Sequence, residues 1–218
     1  MVFHQVRNSP TGAYSYILGD RDRRAGLVID PVVESQDVLL ALIGDLGIEL
    51  HFILLTHTHP GSDRSALALR NRAGGVIVAS ADCKTVVGDI QVQHGEYLAF
   101  GDEIVHVIGT PGHTPCSVSY RWRDRLFTGD TLLLGGCGDA ALPGGDAGRL
   151  FDSVTNRLFM LPPETLVFPG LDPNGRTVST IAEEKASNPR FNGRSRDAFV
   201  THMSAAPLPA FPKPKAQT

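Results

Sequence analysis

Two histidines and one aspartate occupy matching places in this sequence, each just after an apolar, strand-like run. His57 follows Phe52–Leu55, inside Thr56-His57-Thr58-His59. His113 follows Ile104–Ile108, inside Thr110-Pro111-Gly112-His113-Thr114-Pro115. Asp130 follows Leu126-Phe127, inside Thr128-Gly129-Asp130-Thr131. A metal site needs ligands on rigid backbone, and strand ends fix backbone better than loose surface loops do. Gly112 and Gly129 beside two of the candidates suit a chain that must turn tightly or approach closely. Two imidazoles and one carboxylate make a facial triad with open positions, the donor set of non-haem Fe(II) oxygenases. The same donors could hold zinc, with water completing the shell. Each residue also has an ordinary reading. A lone His usually faces solvent or caps a turn, and Asp in Gly-Asp-Thr can stabilise a turn. His4, His51, His94, His106 and His202 are given that ordinary reading.

The elements that must position these groups alternate along the chain. Val2–Arg7, Ala13–Gly19 and Ala25–Asp30 read as short strands separated by turn signals. A helix opens at Ser35 or Gln36. Val38, Leu39, Leu42, Ile43 and Leu46 recur near the helical period, and Gly47 suits the C-terminal cap. Phe52–Leu55 has the look of a strand buried on both faces. A second helix is expected over Asp63–Ala73, stopped by Gly74-Gly75, then a strand over Val76–Ala79. Further strands are expected at Tyr97–Phe100, Ile104–Gly109, Ser117–Arg123, Arg125–Thr128 and Thr165–Phe168. Residues 135–148 are glycine-rich and read as a long loop. Helices are expected over Leu150–Leu161, Val178–Ala186 and Arg194–Met203. The pattern is one α/β domain over residues 1–204, with a Pro/Lys-rich tail at 205–218.

Composition narrows the class. The 218 residues are long enough for a sizeable core, and 42% are hydrophobic while 20% are charged. A net charge of −3 leaves no electrostatic footprint for nucleic acid. No apolar run has the length of a membrane span, and Met1–Pro10 lacks a signal-peptide pattern. Three cysteines, Cys83, Cys116 and Cys137, cannot form a full disulfide framework; reduced thiols in the cytoplasm are the expectation.

At the His and Gly-Asp-Thr motifs the chain resembles the metallo-β-lactamase superfamily, and within it the persulfide dioxygenases, relatives of glyoxalase II. The likeness includes Ala25–Pro31, Thr56–His59, Thr110–Pro115 and Phe127–Leu133. It continues through Gly136-Cys137-Gly138, Gly144-Gly145, Thr177–Glu184 and Asn188-Pro189-Arg190. The His and Gly-Asp-Thr motifs are superfamily-wide; the Gly-Cys-Gly loop and the late stretch favour the dioxygenase branch. The resemblance implies an αββα sandwich of mixed sheets flanked by helices. It implies one Fe(II) on His57, His113 and Asp130, with zinc as the alternative. It also implies a small persulfide or thiol substrate, such as glutathione persulfide, oxidised with O₂ to sulfite. His59 is the first candidate for a hydrogen bond behind the ligands. A homodimer is compatible with this reading, and neither nucleic acid nor membrane is expected as a partner.

The departures from the superfamily pattern carry information too. Where His-x-His-x-Asp-His is usual, this chain has His57-Thr58-His59-Pro60-Gly61-Ser62. Where a late His is usual, it has Leu171 in Gly170-Leu171-Asp172-Pro173. A second metal has thus lost its ligands, and with them the bridging hydroxide of a two-metal hydrolase. After Gly138 the family's Arg-Thr-Asp-Phe is replaced by Asp139-Ala140-Ala141-Leu142, which disfavours an anionic substrate. Cys137 and Asp139 are therefore the candidates for a substrate loop. Cys116 stands where the family has Gly, either as a buried filler or as a thiol near the metal; Cys83 reads as structural. Two rivals remain: a zinc thioester hydrolase of glyoxalase II type, and a degenerate member that binds a sulfur ligand without turnover.

Overall fold

In Tyr16-Ile17-Leu18 and Leu27-Val28-Ile29, successive side chains point to opposite faces of a strand, and every one of them is buried. Such strands need cover on both sides. The structure, a computed structural model, describes residues 1–59, 63–83 and 88–205.

Six strands form the first sheet in sequence order: β1 (Val2–Arg7), β2 (Tyr14–Asp20), β3 (Ala25–Ile29), β4 (Glu49–Leu54), β5 (Val76–Ser80) and β6 (Ile90–Val92). The first three pair antiparallel; from β3 to β6 the pairing is parallel. Parallel neighbours need a crossover. α1 (Gln36–Leu46) and α2 (Asp63–Ala73) supply two of them. The second sheet holds β7 (Tyr97–Phe100), β8 (Glu103–Gly109), β9 (Val118–Trp122), β10 (Arg125–Gly129), β11 (Leu166–Pro169) and β12 (Ser179–Thr180), again in sequence order across the sheet. Only β10 and β11 run parallel. α3 (Ala147–Asn156), α4 (Ile181–Ser187) and α5 (Arg196–Ala205) complete the chain's helices among the described residues.

Side-chain alternation sorts three cores. Tyr14, Tyr16, Leu18, Leu27 and Ile29 face Val105, Tyr120, Trp122, Phe127 and Phe168 between the sheets. On the outer side of the first sheet, Ile17, Val28 and Ile53 meet Leu39 and Ile43 of α1 and Ala66 and Leu69 of α2. On the outer side of the second, Leu126 and Val167 meet Leu150 and Val154 of α3 and Phe199 and Met203 of α5. Helix, sheet, sheet, helix: this is the expected αββα sandwich. No helix among the described residues is long and apolar enough to cross a membrane.

Several boundaries differ from the expectation. α3 starts at Ala147, three residues before the expected Leu150, because the Asp146 carboxylate accepts from the Arg149 N–H (2.9 Å) and caps it. It ends at Asn156, and a 3₁₀ turn over Leu158–Met160 takes the remainder. The stretch expected as one helix over 178–186 divides into β12 and α4, with the Thr180 hydroxyl accepting from the Glu183 N–H (3.1 Å) as cap. β6 and β12 are three and two residues long, too short to show a period. Of the expected tail, all beyond Ala205 lies outside the described residues.

Candidate metal centre

Both sheets end at one rim, and the candidate ligands come from both. His57 lies just past β4, His113 in the turn between β8 and β9, and Asp130 just past β10. The rim loops are stitched together. The Val118 N–H donates to the Thr56 carbonyl (2.7 Å), and the Tyr120 hydroxyl donates to the Leu55 carbonyl (3.0 Å). The Thr131 hydroxyl donates to the Thr110 carbonyl (3.2 Å).

An Asp130 carboxylate oxygen lies 3.8 Å from His57 Nε2 and 3.7 Å from His113 Nε2. The other ring nitrogens explain why both Nε2 atoms carry lone pairs. The Thr56 hydroxyl donates to the Asp30 carboxylate (2.7 Å), so it accepts from His57 Nδ1–H (2.9 Å). Asp30 also accepts from the Thr56 backbone N–H (2.8 Å), which locks the threonine. His113 Nδ1–H donates to the Asp139 carbonyl (2.5 Å). Such outer partners fix tautomer and ring orientation at metal sites. Burial pushes the His57 imidazole down to about 4; Asp130 opposes this, and His113 and His59 add to it. The ring is therefore neutral at pH 7 and its Nε2 lone pair is available.

His59 comes closer than a supporting residue need come. Its Nε2 lies 3.0 Å from His113 Nε2, and the three imidazole centroids are 4.9–5.1 Å apart. One nitrogen from each of His57, His59 and His113 falls within 4.8 Å of the others. Burial, then His113, lowers the His59 pKa as well. The donor set fits a metal: three imidazole nitrogens gathered beside a carboxylate oxygen. Sequence reasoning gave His59 as a hydrogen-bonding residue behind the ligands; the structure brings its ring into the same cluster as His57 and His113.

Two glycines show how tightly the backbone wraps the centre. A Cβ on Gly138 would sit 2.4 Å from the Asp130 carbonyl and 2.8 Å from His113 Nδ1. Gly129 has φ +51°, and a Cβ there would meet the Thr56 hydroxyl.

The other candidates separate. Cys137 is buried among Leu132, Leu134 and Leu150, and burial pushes its thiol up to about 12. The Asp139 carboxylate accepts from the Ala141 N–H (2.9 Å), while its carbonyl orients His113. Cys116 and Cys83 pack together with Ala79. The Cys83 hydrogen bond holds the Cys116 thiol down to about 5, against burial, with Thr114 and Thr58 adding to it. Asp172 accepts from the Asn174 N–H (2.7 Å) and Arg176 Nε (3.0 Å), so its carboxylate is committed to its own turn. Gly61 and Ser62 lie outside the described residues.

Beside His57 and Asp130 opens a cavity of about 330 Å³, walled by Tyr14, Val32, Val33 and Leu171 and reached by Asp30 and Glu34. Its described lining holds no lysine or arginine.

A family model for the metallo-beta-lactamase superfamily matches residues 9–170. The Homo sapiens protein described as persulfide dioxygenase ETHE1, mitochondrial, is 35% identical over 211 residues, covering 96% of this chain and 83% of that protein. A Bacillus velezensis protein described as a probable polyketide biosynthesis zinc-dependent hydrolase is 31% identical, covering 77% of this chain and 75% of that one. Among solved structures, ETHE1 from Myxococcus xanthus matches with a TM-score of 0.91 at 42% identity, covering 97% of this chain and 93% of that one.

Proposed function

The chain belongs to the metallo-β-lactamase superfamily, and from that membership we propose that it is a mononuclear non-haem Fe(II) persulfide dioxygenase. The likeness to the human and Myxococcus xanthus proteins supports the dioxygenase branch. The observation that carries the ligand assignment is the pair of fixed tautomers, which turn His57 Nε2 and His113 Nε2 toward one Asp130 oxygen at 3.8 and 3.7 Å.

His57, His113 and Asp130 would hold the Fe(II), which when bound would supply the electron transfer between O₂ and the persulfide sulfur. The residues do the rest. The Asp130 carboxylate balances part of the cation's charge. Thr56 and the Asp139 carbonyl hold the two rings still. His59 Nε2 lies 3.0 Å from His113 Nε2, and from there it would be placed to donate a hydrogen bond to the substrate. Val32, Val33 and Leu171 give the cavity an apolar wall against which the substrate can pack. Persulfide, O₂ and water become sulfite, the parent thiol and protons. The carrier is glutathione or a similar small thiol.

Metal analysis of protein purified without added metal, paired with oxygen uptake, tests this reading. One iron per chain and persulfide-dependent O₂ consumption with sulfite release are expected. Iron-loaded protein that consumes no O₂ with any small persulfide sinks it. A second reading rests on His59: three clustered imidazoles also suit zinc and a thioester hydrolase. Bound zinc with thioester cleavage, and no oxygen uptake, selects that reading instead.

A further inference from the structure

Near the histidines, but not among the residues that line the cavity, two thiols meet. Cys83 follows β5 in the first sheet, and Cys116 lies in the turn between β8 and β9 of the second. Both are buried, at 7% and 6% exposure. The Thr58 hydroxyl lies 2.7 Å from Cys83 Sγ and 3.5 Å from Cys116 Sγ. The two side chains pack in one small cluster with Ala79. The Thr114 hydroxyl lies a further 3.5 Å from Cys116 Sγ. Two threonine hydroxyls thus reach the Cys116 sulfur, and a second thiol packs beside it.

We propose that Cys83 and Cys116 form a reversible disulfide when the protein meets a small hydroperoxide such as hydrogen peroxide. The Cys116 sulfur attacks one peroxide oxygen and the O–O bond breaks. Cys116 becomes a sulfenic acid, and the other oxygen leaves as water once it takes up the thiol proton. The Cys83 sulfur then attacks the Cys116 sulfur, the S–O bond breaks, and a second water leaves. Two thiols lose two electrons and two protons, and one peroxide becomes two waters. A small thiol reverses the reaction by exchange. The bridge would join the segment just after β5 of the first sheet to the turn that carries His113, and would withdraw both thiols from Thr58, the residue between His57 and His59.

The third thiol is an internal control, since Cys137 is packed in a separate core and its thiol is pushed up to about 12. The experiment treats the full chain with hydrogen peroxide, blocks remaining thiols under denaturing conditions, and maps the peptides without reductant. The expected result is a peptide carrying Cys83 linked to one carrying Cys116 within one chain. The link is lost after dithiothreitol, and Cys137 is recovered as a blocked thiol. In Cys83→Ala protein the bridge is absent, and dimedone traps the sulfenic acid on Cys116. Three blocked thiols after treatment, a bridge involving Cys137, or a bridge between chains overturns the proposal. The unmutated protein's peptide map decides the matter even if the variant does not fold.

Discussion

Thr56 is the smallest part of the centre with a large expected effect. Its hydroxyl connects Asp30 to His57, and nothing else among the described hydrogen bonds holds that ring's Nδ1. Replacing it with Val keeps the shape and removes both bonds. Metal affinity is expected to fall ~10–100-fold, the usual cost of losing an outer partner. Competition with a chelator measures it, and an unchanged affinity would mean that the tautomer is not set by Thr56. His59 and Asp130 divide more sharply. His59→Asn is expected to keep one metal per chain, whereas Asp130→Asn is expected to lose it under the same dialysis. Loss in both variants would bring His59 into the ligand set. At this scale the sequence was partly legible. His57, His113 and Asp130 stood out because each follows an apolar run. The Asp30–Thr56 contact did not, because it spans 26 residues and depends on β3 and β4 lying side by side.

The elements were most legible where the period is long and the stops are strong. α2 ends at Ala73, where two glycines at φ +77° and +88° follow, and its span was read directly. α1 closes on Gly47, whose left-handed φ of +62° lets its N–H reach the Gly44 carbonyl (3.0 Å). The start of α3 was hidden because its signal is one capping aspartate in a glycine-rich stretch. A buried charge on β8 was also not legible, since Glu103 looks like an ordinary turn residue. In the fold, its carboxylate accepts from Trp122 Nε1 and Arg123 Nε, both at 2.8 Å. The Arg123 guanidinium holds the acid below its ordinary 4.5, against burial, and Trp122 adds to the lowering. The folded state therefore binds the proton less tightly than the unfolded chain does. The stabilisation is complete above pH 4.5 and is lost as pH falls through the lowered value. Glu103→Gln is expected to cost roughly 1–3 kcal/mol at pH 7, in line with hydrogen bonds to a charged group. Urea melts at pH 7 and pH 3 check it: the gap between the proteins should narrow at the lower pH. A constant gap would assign the loss to packing.

For the molecule as a whole, the distribution of charge around the cavity bears on what it admits. Glu34 reaches it, and its described lining offers no lysine or arginine; Asp130 is committed to the proposed metal, and burial pushes the Asp30 carboxyl up to about 7. A neutral or cationic persulfide is expected to be turned over with higher kcat/KM than an anionic one, and most clearly at low salt. Glu34→Lys is expected to raise kcat/KM for glutathione persulfide several-fold while leaving a neutral persulfide nearly unaffected. Equal effects on both would remove charge as the selector. The layered architecture was legible from the alternation of strands and helices, whereas the shape of the cavity was not, because its walls come from β2, the β3–α1 connection and the loop after β11.

Each sheet is built from one continuous half of the sequence: the strands of the first lie within residues 2–92 and those of the second within 97–180. The exposed turn Gln93–Glu96 is the joint. His57 belongs to the earlier half, and His113 and Asp130 to the later one. On a ribosome, the proposed ligand set cannot gather until Asp130 has emerged, however early the first sheet is made. Loading is thus a late event in the life of the chain. If the protein is divided at that turn and the halves are expressed separately, neither is expected to hold the metal tightly alone. Mixing them should restore binding in step with reassembly of the aromatic layer around Trp122, so that recovery of its fluorescence and metal uptake follow one time course.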